Sequence, residues 1–319
     1  MFNWTIASLI VRRLGAGLLT LFLVAALIFG ITSLLPGDAA QLALGQQATP
    51  ETVAALRQQL GLDQPVWLRF WQWLAGILQG DLGTSYASGF PVAELIASRI
   101  PNSLMLAGVT VLVSVPIALV LGIVSAMSNG SRLDRVLGIL TMSVVAVPEF
   151  LVATLAVLVF AVKLQWLPAL SFGGNVDSLG AFLRSYAMPV LTLSCVVVAQ
   201  MARMTRAAII NQLDAPYVEM ALLKGGRPLR VVLSHALPNA VGPIANVMAL
   251  STSYLLGGVI IIETIFNYPG LALQLVDAVS NRDLPMVQAG VLFFSACYLF
   301  LLLLADICTI VFNPRLRKS

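Results

Sequence analysis

Long uninterrupted apolar runs alternate along the chain with shorter polar segments that hold most of its charge. A helix crosses a hydrocarbon core in about 20 residues, and six runs answer to that length or come near it: Leu14–Leu35, Leu104–Met127, Val136–Val162, Met188–Met201, Ala240–Ile262 and Val287–Phe312. The fourth run is short. Arg203 and Arg206 at its end can snorkel to the interface, which lets that helix continue beyond the hydrocarbon. None of the runs alternates apolar and polar residues with period two, as the strands of a transmembrane barrel would. The pattern therefore predicts an all-α integral membrane protein of about six transmembrane helices.

Glycine and proline punctuate this bundle, with Gly122 in the second span, Pro148 in the third, Pro238 and Pro243 around the entry to the fifth, and Gly257-Gly258 within it. Small residues let helices approach closely and prolines kink them. Between the first two spans, residues 37–100 carry ordered helix signals. Thr49 is placed to cap a helix with Pro50 at its first position, Val53, Leu56 and Leu60 on one face, and Gly61 as its stop. A second helix is expected from Val66 to Leu78, where Trp67, Phe70, Trp71 and Trp73 belong to a broad apolar face. Its aromatic residues fit the membrane interface or packing over a channel mouth, with direct contact to a solute as the other reading.

Composition agrees with this picture: 59% of the 319 residues are hydrophobic and 10% are charged, too few polar groups to enclose a core in water. The formal charge of +4 matters through its distribution, and no nucleic-acid partner is inferred from it. With the N-terminus inside, twelve of the eighteen basic residues fall in inner segments, whereas the outer segments hold six among nine acids. The chain is thus expected to cross a membrane several times, with both termini cytoplasmic. Arg12 and Arg13 precede an apolar run too long for a cleaved leader and without a small-x-small site, so that run reads as an uncleaved first span. Cys195, Cys297 and Cys308 lie within apolar runs and read as small buried hydrophobes.

The inner loop from Thr205 to Ala236 is the most informative segment. Asp214 is a candidate N-cap, Pro216 lies in the first turn, and a short helix runs through Tyr217, Glu219, Ala221 and Lys224 to a stop at Gly225-Gly226. Pro228 opens a second short helix that continues through His235 until Pro238 begins the next span. The chain holds no G-x-x-x-x-G-K-[ST] phosphate loop, so any nucleotide chemistry must belong to another subunit.

The run Tyr217-Val-Glu219-Met-Ala221-Leu-Leu-Lys224-Gly225, followed by His235-Ala-Leu-Pro238-Asn239, resembles the EAA loop of ABC importer permeases. Leu35-Pro36-Gly37-Asp38, Leu60-Gly61-Leu62-Asp63, Gly80-Asp81-Leu82-Gly83-Thr84-Ser85, Trp166-Leu167-Pro168, Glu263-Thr264-Ile265-Phe266, Tyr268-Pro269-Gly270-Leu271 and Asn313-Pro314-Arg315 extend the likeness over nearly the whole chain. Together they resemble the dipeptide/oligopeptide/nickel permease family in its first-permease branch. That resemblance implies a type I ABC importer permease fold: an N-terminal end and first helix over 1–36, an extracytoplasmic helical segment over 37–100, a five-helix transmembrane domain over 95–312 that includes a coupling loop at 205–236, and a basic tail at 313–319. It also implies a second homologous permease, two ATP-binding subunits that carry the ATP and magnesium, and an extracytoplasmic solute-binding protein. ATP binding would close the ATPase pair, the coupling helices would follow, and the bundle would switch the side on which its cavity opens. Tyr217, Glu219, Ala221, Lys224, Gly225, His235 and Pro238 would form the coupling loop. One departure is that the motif triplet reads Glu-Met-Ala, with Leu222-Leu223 where smaller or charged residues are often found.

Ionisable residues near the membrane interior have a functional default. Glu149, after Pro148, either lines the cavity or marks a span that starts later. Glu263 and Phe266, at the outer end of the fifth span, belong to a motif of the resembled family and are candidates for a gate, and Asp306 is expected to pair with a basic residue such as Arg12 or Arg203. No set of nucleophile, base or metal ligands converges, so the chain is read as a transport subunit and not an enzyme, with no cofactor of its own. The cargo implied by the family resemblance is a di- or oligopeptide or a related small solute such as nickel, glutathione or a metallophore. An ion-gradient-driven secondary transporter is the alternative; it calls for inverted repeats and midplane charge relays that the sequence does not display.

Overall fold

The computed structural model describes residues 4–34, 39–44, 48–59, 61–171 and 178–312. The motif at residues 35–38, Leu60 and the basic tail at 313–319 lie outside the described residues. In chain order the helices are α1 (Trp4–Leu34), α2 (Ala39–Leu44), α3 (Pro50–Gln59), α4 (Val66–Leu78), α5 (Val92–Met127), α6 (Arg132–Ala146), α7 (Glu149–Ala156, continued as a π-helical stretch Val157–Lys163), α8 (Leu179–Leu213), α9 (Pro216–Leu223), α10 (Pro228–Val231, continued as a π-helical stretch Val232–Ala236), α11 (Leu237–Ile265), α12 (Leu271–Ser280) and α13 (Leu284–Phe312). Among the described residues the only strand-like feature is a bridge between Thr84 and Pro91.

Five helical segments are long and apolar enough to cross a membrane: Val11–Leu34, Val92–Met127, Leu179–Leu213, Leu229–Ile265 and Leu284–Ile307. The expected third span is different. It is not one helix but the pair α6 and α7 with its π-helical continuation, bent by 97°. The break sits at Val147-Pro148. Proline crowds the residue before it out of helical geometry, and Val147 is extended at φ −88°, ψ 128°. Pro189 and Pro243, by contrast, lie inside α8 and α11. The fourth span, short by its apolar run, is a helix of 35 residues, about 52 Å at 1.5 Å per residue.

The chain divides into two compact units. The first comprises residues 1–14, 104–268 and 298–319. In it α5 meets α8 closely where a Cβ on Gly122 would lie 2.7 Å from the Thr205 side chain. Higher along the same pair, Ser114 Oγ donates to Ser194 Oγ at 3.0 Å. Asp306 pairs with Arg13 at 3.1 Å, in place of the expected Arg12 or Arg203; one residue is a 100° step around α1, so only one of two adjacent arginines faces α13. Both side chains are partly exposed, so this pair adds little stability.

The second unit comprises residues 15–103 and 269–297. Val92, Ile96, Leu271, Ala278, Met286, Val287 and Ala289 form its buried cluster. The expected helix ends recur here. Pro50 starts α3, Thr52 N–H donates to Thr49 Oγ1 at 3.2 Å, and Gly61 takes φ +65°, which only glycine adopts freely. Helix α4 has the predicted bounds and packs aromatic to aromatic on α1: Phe22 with Phe70 and Trp71, Phe29 with Phe70 and Trp73. Trp67 and Trp71 remain exposed. In the segment after α4, Asp81 Oδ1 accepts from Gly83 N–H at 2.8 Å. Buried Asp283 accepts from Ser85 Oγ and, at 3.0 Å, from Tyr86 N–H. Burial pushes the Tyr86 phenol pKa up, opposed by the charge of Arg69.

Candidate coupling hairpin and pathway residues

Helix α8 ends at Leu213, and Asp214 is its last half-helical residue, not the side-chain cap expected for the next helix. Backbone groups close the first turn of α9 instead: Val218 and Glu219 N–H both donate to Ala215 O, at 2.9 and 3.3 Å. The stop at Gly225-Gly226 has the predicted place and a definite chemistry. Gly225 takes φ +82°, while Gly226 N–H reaches back to Ala221 O at 3.1 Å, the six-to-one bond of a Schellman end. A Cβ on Gly226 would lie 2.8 Å from that same oxygen and from Val231 Cγ2. The first glycine is required by backbone conformation, the second by space.

α9 and the α10 segment form a hairpin held by a small core of Val218, Val231 and Ala236, with Leu213 and Ala221 against it. At 100° per residue, Tyr217, Glu219, Met220, Leu223 and Lys224 then share the opposite arc of α9, and all five are exposed. Three of the five are large and apolar or aromatic, and Leu223 is 74% exposed. Tyr217 OH donates to Gln212 Oε1 at 3.0 Å, tying α9 to the end of α8. Gly225, His235 and Pro238 are exposed too. His235 contributes its backbone, whose carbonyl accepts from Asn239 Nδ2 at 2.8 Å; the π-helical stretch carries the chain into α11.

The three pathway candidates are not brought together as one constellation. Glu149 heads α7, half-buried. A Cβ on Gly258 of α11 would lie 2.8 Å from its Oε2 and 3.2 Å from Leu193 Cδ2 of α8, so this glycine is what admits a carboxylate between the helices. Gly257 next to it faces open space. Glu263 and Phe266 are fully buried at the other end of α11. There Phe266 O accepts from Ser171 N–H at 2.8 Å and Glu263 O from Tyr268 N–H at 2.9 Å. Tyr186 and Tyr268 hydroxyls share a hydrogen bond of 2.8 Å, and Phe182 stacks on Tyr186. Burial pushes the Tyr268 phenol pKa far up, and the Tyr186 hydroxyl adds to the shift.

Sequence reasoning missed one cluster altogether. Arg206 of α8 donates through Nε and Nη2 to the two oxygens of Asp134, both at 2.7 Å, and through Nη2 to Asn129 Oδ1 at 3.1 Å. Ser125 Oγ donates to Asp134 Oδ1 at 2.6 Å and Gly130 N–H to Oδ2 at 3.1 Å. The signal was present: Asp134 is the lone acid in an otherwise basic segment between two spans, and a nearly buried carboxylate needs a cation.

Residues 118–318 match the family model described as binding-protein-dependent transport system inner membrane component, and residues 6–107 match its membrane component, N-terminal. The chain is 38% identical over 308 residues to the glutathione transport system permease protein GsiC of Escherichia coli K12, covering 97% of this chain and 98% of that protein. It is 39% identical, over the same span, to the protein of that name from Salmonella typhi. The family is not catalytic, and its members are multi-pass inner-membrane proteins. The chain thus belongs to the inner-membrane components of binding-protein-dependent transport systems: it is a permease subunit of an ABC importer.

Proposed function

We propose that this permease pairs with a second, homologous one to form the pathway by which a peptide-like solute enters the cytoplasm, and that α9 is its coupling helix. On this reading α9 sits in a cleft of one of two ATP-hydrolysing subunits, which hold the nucleotide and magnesium. Both termini and residues 205–236 are cytoplasmic. Residues 37–100 are extracytoplasmic and face a solute-binding protein, and the basic tail at 313–319 is cytoplasmic. The five helices within 95–312 form the transmembrane domain. Glu149 contributes to the pathway, and Glu263 and Phe266 stiffen its outer gate. Glutathione is itself a tripeptide, so the name of the relatives and the expected di- and oligopeptide cargo describe one solute class.

The observation that carries this reading is the exposed arc of α9. A helix of eight residues is too short to stand alone in water; here a small core and a Schellman end hold it. It turns Tyr217, Met220 and Leu223 outward. An apolar surface kept rigid and uncovered beside the charges of Glu219 and Lys224 is what a partner's cleft requires.

The test is co-expression with the neighbouring genes and purification in detergent, comparing wild type with the Glu219→Ala, Gly225→Pro double variant. Two ATPase subunits and a second permease are expected with the wild type. The variant should lose assembly or solute-stimulated ATP hydrolysis by about tenfold or more, as removal of a central contact does. Purification of the chain alone, with solute uptake that needs no ATP and collapses with an uncoupler, would overturn the proposal.

A further inference from the structure

A cavity of about 340 Å³ lies between α5, α6 and α8, beside the Asp134–Arg206 pair and apart from the coupling hairpin. Its polar end is lined by three arginines, Arg135, Arg203 and Arg206, against one acid, Asp134. Arg206 is already committed: its bonds to Asp134 and Asn129 fix it as a rigid floor. The guanidinium groups of Arg135 and Arg203 are exposed and have no hydrogen bond or ion pair among the described residues. Two cations are thus left over at one rim. The other end is apolar, reaching Leu121 and Met142. Met142 is seven residues beyond Arg135 on α6, about 10 Å further along the helix axis. Ile139, Leu140 and Met142 are largely exposed around it. With the arginines at the cytoplasmic boundary, the cavity runs from headgroup level into the inner leaflet.

Amphipathic in this direction, with surplus positive charge at the headgroup end, the cavity matches one molecule of the surroundings. We infer that it binds an anionic glycerophospholipid of the inner leaflet, its phosphodiester between Arg135 and Arg203 and an acyl chain along α6 past Gly138 and Met142. Basic recesses between helices on the cytoplasmic side hold such headgroups by charge, and guanidinium matches a phosphate by two parallel hydrogen bonds. A soluble ATPase at the cytoplasmic face does not reach the apolar end. A Cβ on Gly138 would meet nothing within 4 Å, so the space beside it is open to an acyl chain.

The test is native mass spectrometry of the full chain released from nanodiscs of equal phosphatidylglycerol and phosphatidylethanolamine. One retained phosphatidylglycerol per chain is expected, and the Arg135→Gln, Arg203→Gln double variant should lower its occupancy about tenfold or more. Arg132→Gln removes a neighbouring charge that does not line the cavity and should leave retention unchanged. Gly138→Leu keeps every charge, suits a helix, and should displace the lipid by filling its slot, so the inference stays open to failure even if the double variant misfolds. Retention that ignores both headgroup type and Gly138→Leu would overturn it. So would release of the bound anion by millimolar inorganic phosphate, which would mark a simple anion site. Loss of the lipid on assembly with the other subunits would also overturn it, because the recess would then belong to a protein contact.

Discussion

The two ends of α11 are built on opposite plans. At its far end Phe266 and Tyr268 are fully buried, the Tyr186 and Tyr268 hydroxyls are paired, and the carbonyls of Glu263 and Phe266 each accept a backbone N–H. At its near end the α9–α10 hairpin has a core of three small side chains and leaves Tyr217, Met220, Leu223, Leu229 and Leu233 exposed. One end is completed within the chain. The other leaves the kind of surface that a monomer covers and an assembly uses. Burial thus separates residues that hold the bundle from residues that the chain itself leaves uncovered, although motif residues stand at both ends.

The largest effect expected is at the completed end. Tyr268→Ala empties a fully buried site and leaves the Tyr186 hydroxyl without its partner, so the detergent-solubilised chain should lose about 3 kcal/mol of stability, the usual cost of removing a buried aromatic ring. Chemical denaturation followed by tryptophan fluorescence reads it. A loss below about 1 kcal/mol would mean that this corner is not closed by the chain itself and would remove the contrast between the two ends.

Next in size is the hairpin's own stop. Gly225→Ala forces a side chain into φ +82°, a conformation that costs about 1 to 2 kcal/mol for an L-residue. The penalty should appear as faster hydrogen exchange in α9 with the global unfolding midpoint unchanged, because the hairpin opens as a local unit. If the global midpoint moved instead, the hairpin would be part of the bundle's cooperative core.

How much of this was legible in the sequence follows the same division. Five of the six spans, the bounds of α4, the start of α3 and the glycine stops were readable, since each rests on local rules: run length, a capping hydroxyl, a positive φ. The break at Val147-Pro148 was read only as a kink, because proline has the same local chemistry at 148 as at 189 and 243, and tertiary packing decides which helices continue. The Asp134–Arg206 pair and the Tyr186–Tyr268 contact join residues 72 and 82 positions apart, and no periodicity carries such information. Glu263 and Phe266 were recognisable as motif residues, yet only burial shows that their backbone carbonyls close a packed corner.

A smaller change tests that corner without emptying it. Tyr268→Phe keeps the ring and removes one hydroxyl, at a cost of about 0.6 kcal/mol, typical of a single hydrogen bond between membrane helices. The comparison with Tyr268→Ala then separates packing from hydrogen bonding. If the two variants are equally damaging, the hydroxyl pair and not the ring holds α8 to the end of α11.

The smallest effect on the chain itself is the sharpest test of the contrast. Met220 and Leu223 are exposed on the arc of α9 opposite its core, so Met220→Ser with Leu223→Ser should leave stability within about 0.5 kcal/mol, as surface substitutions do. Their apolar area matters only when something covers it. The same double variant should therefore recover less ATPase subunit on co-purification, by about tenfold if the two side chains fill a central pocket. Unchanged stability with unchanged recovery would show that the exposed arc is uncovered in the assembly as well, and the coupling contact would then have to be sought along the α10 side of the hairpin, at Leu229 and Leu233, which are the remaining large apolar residues exposed there.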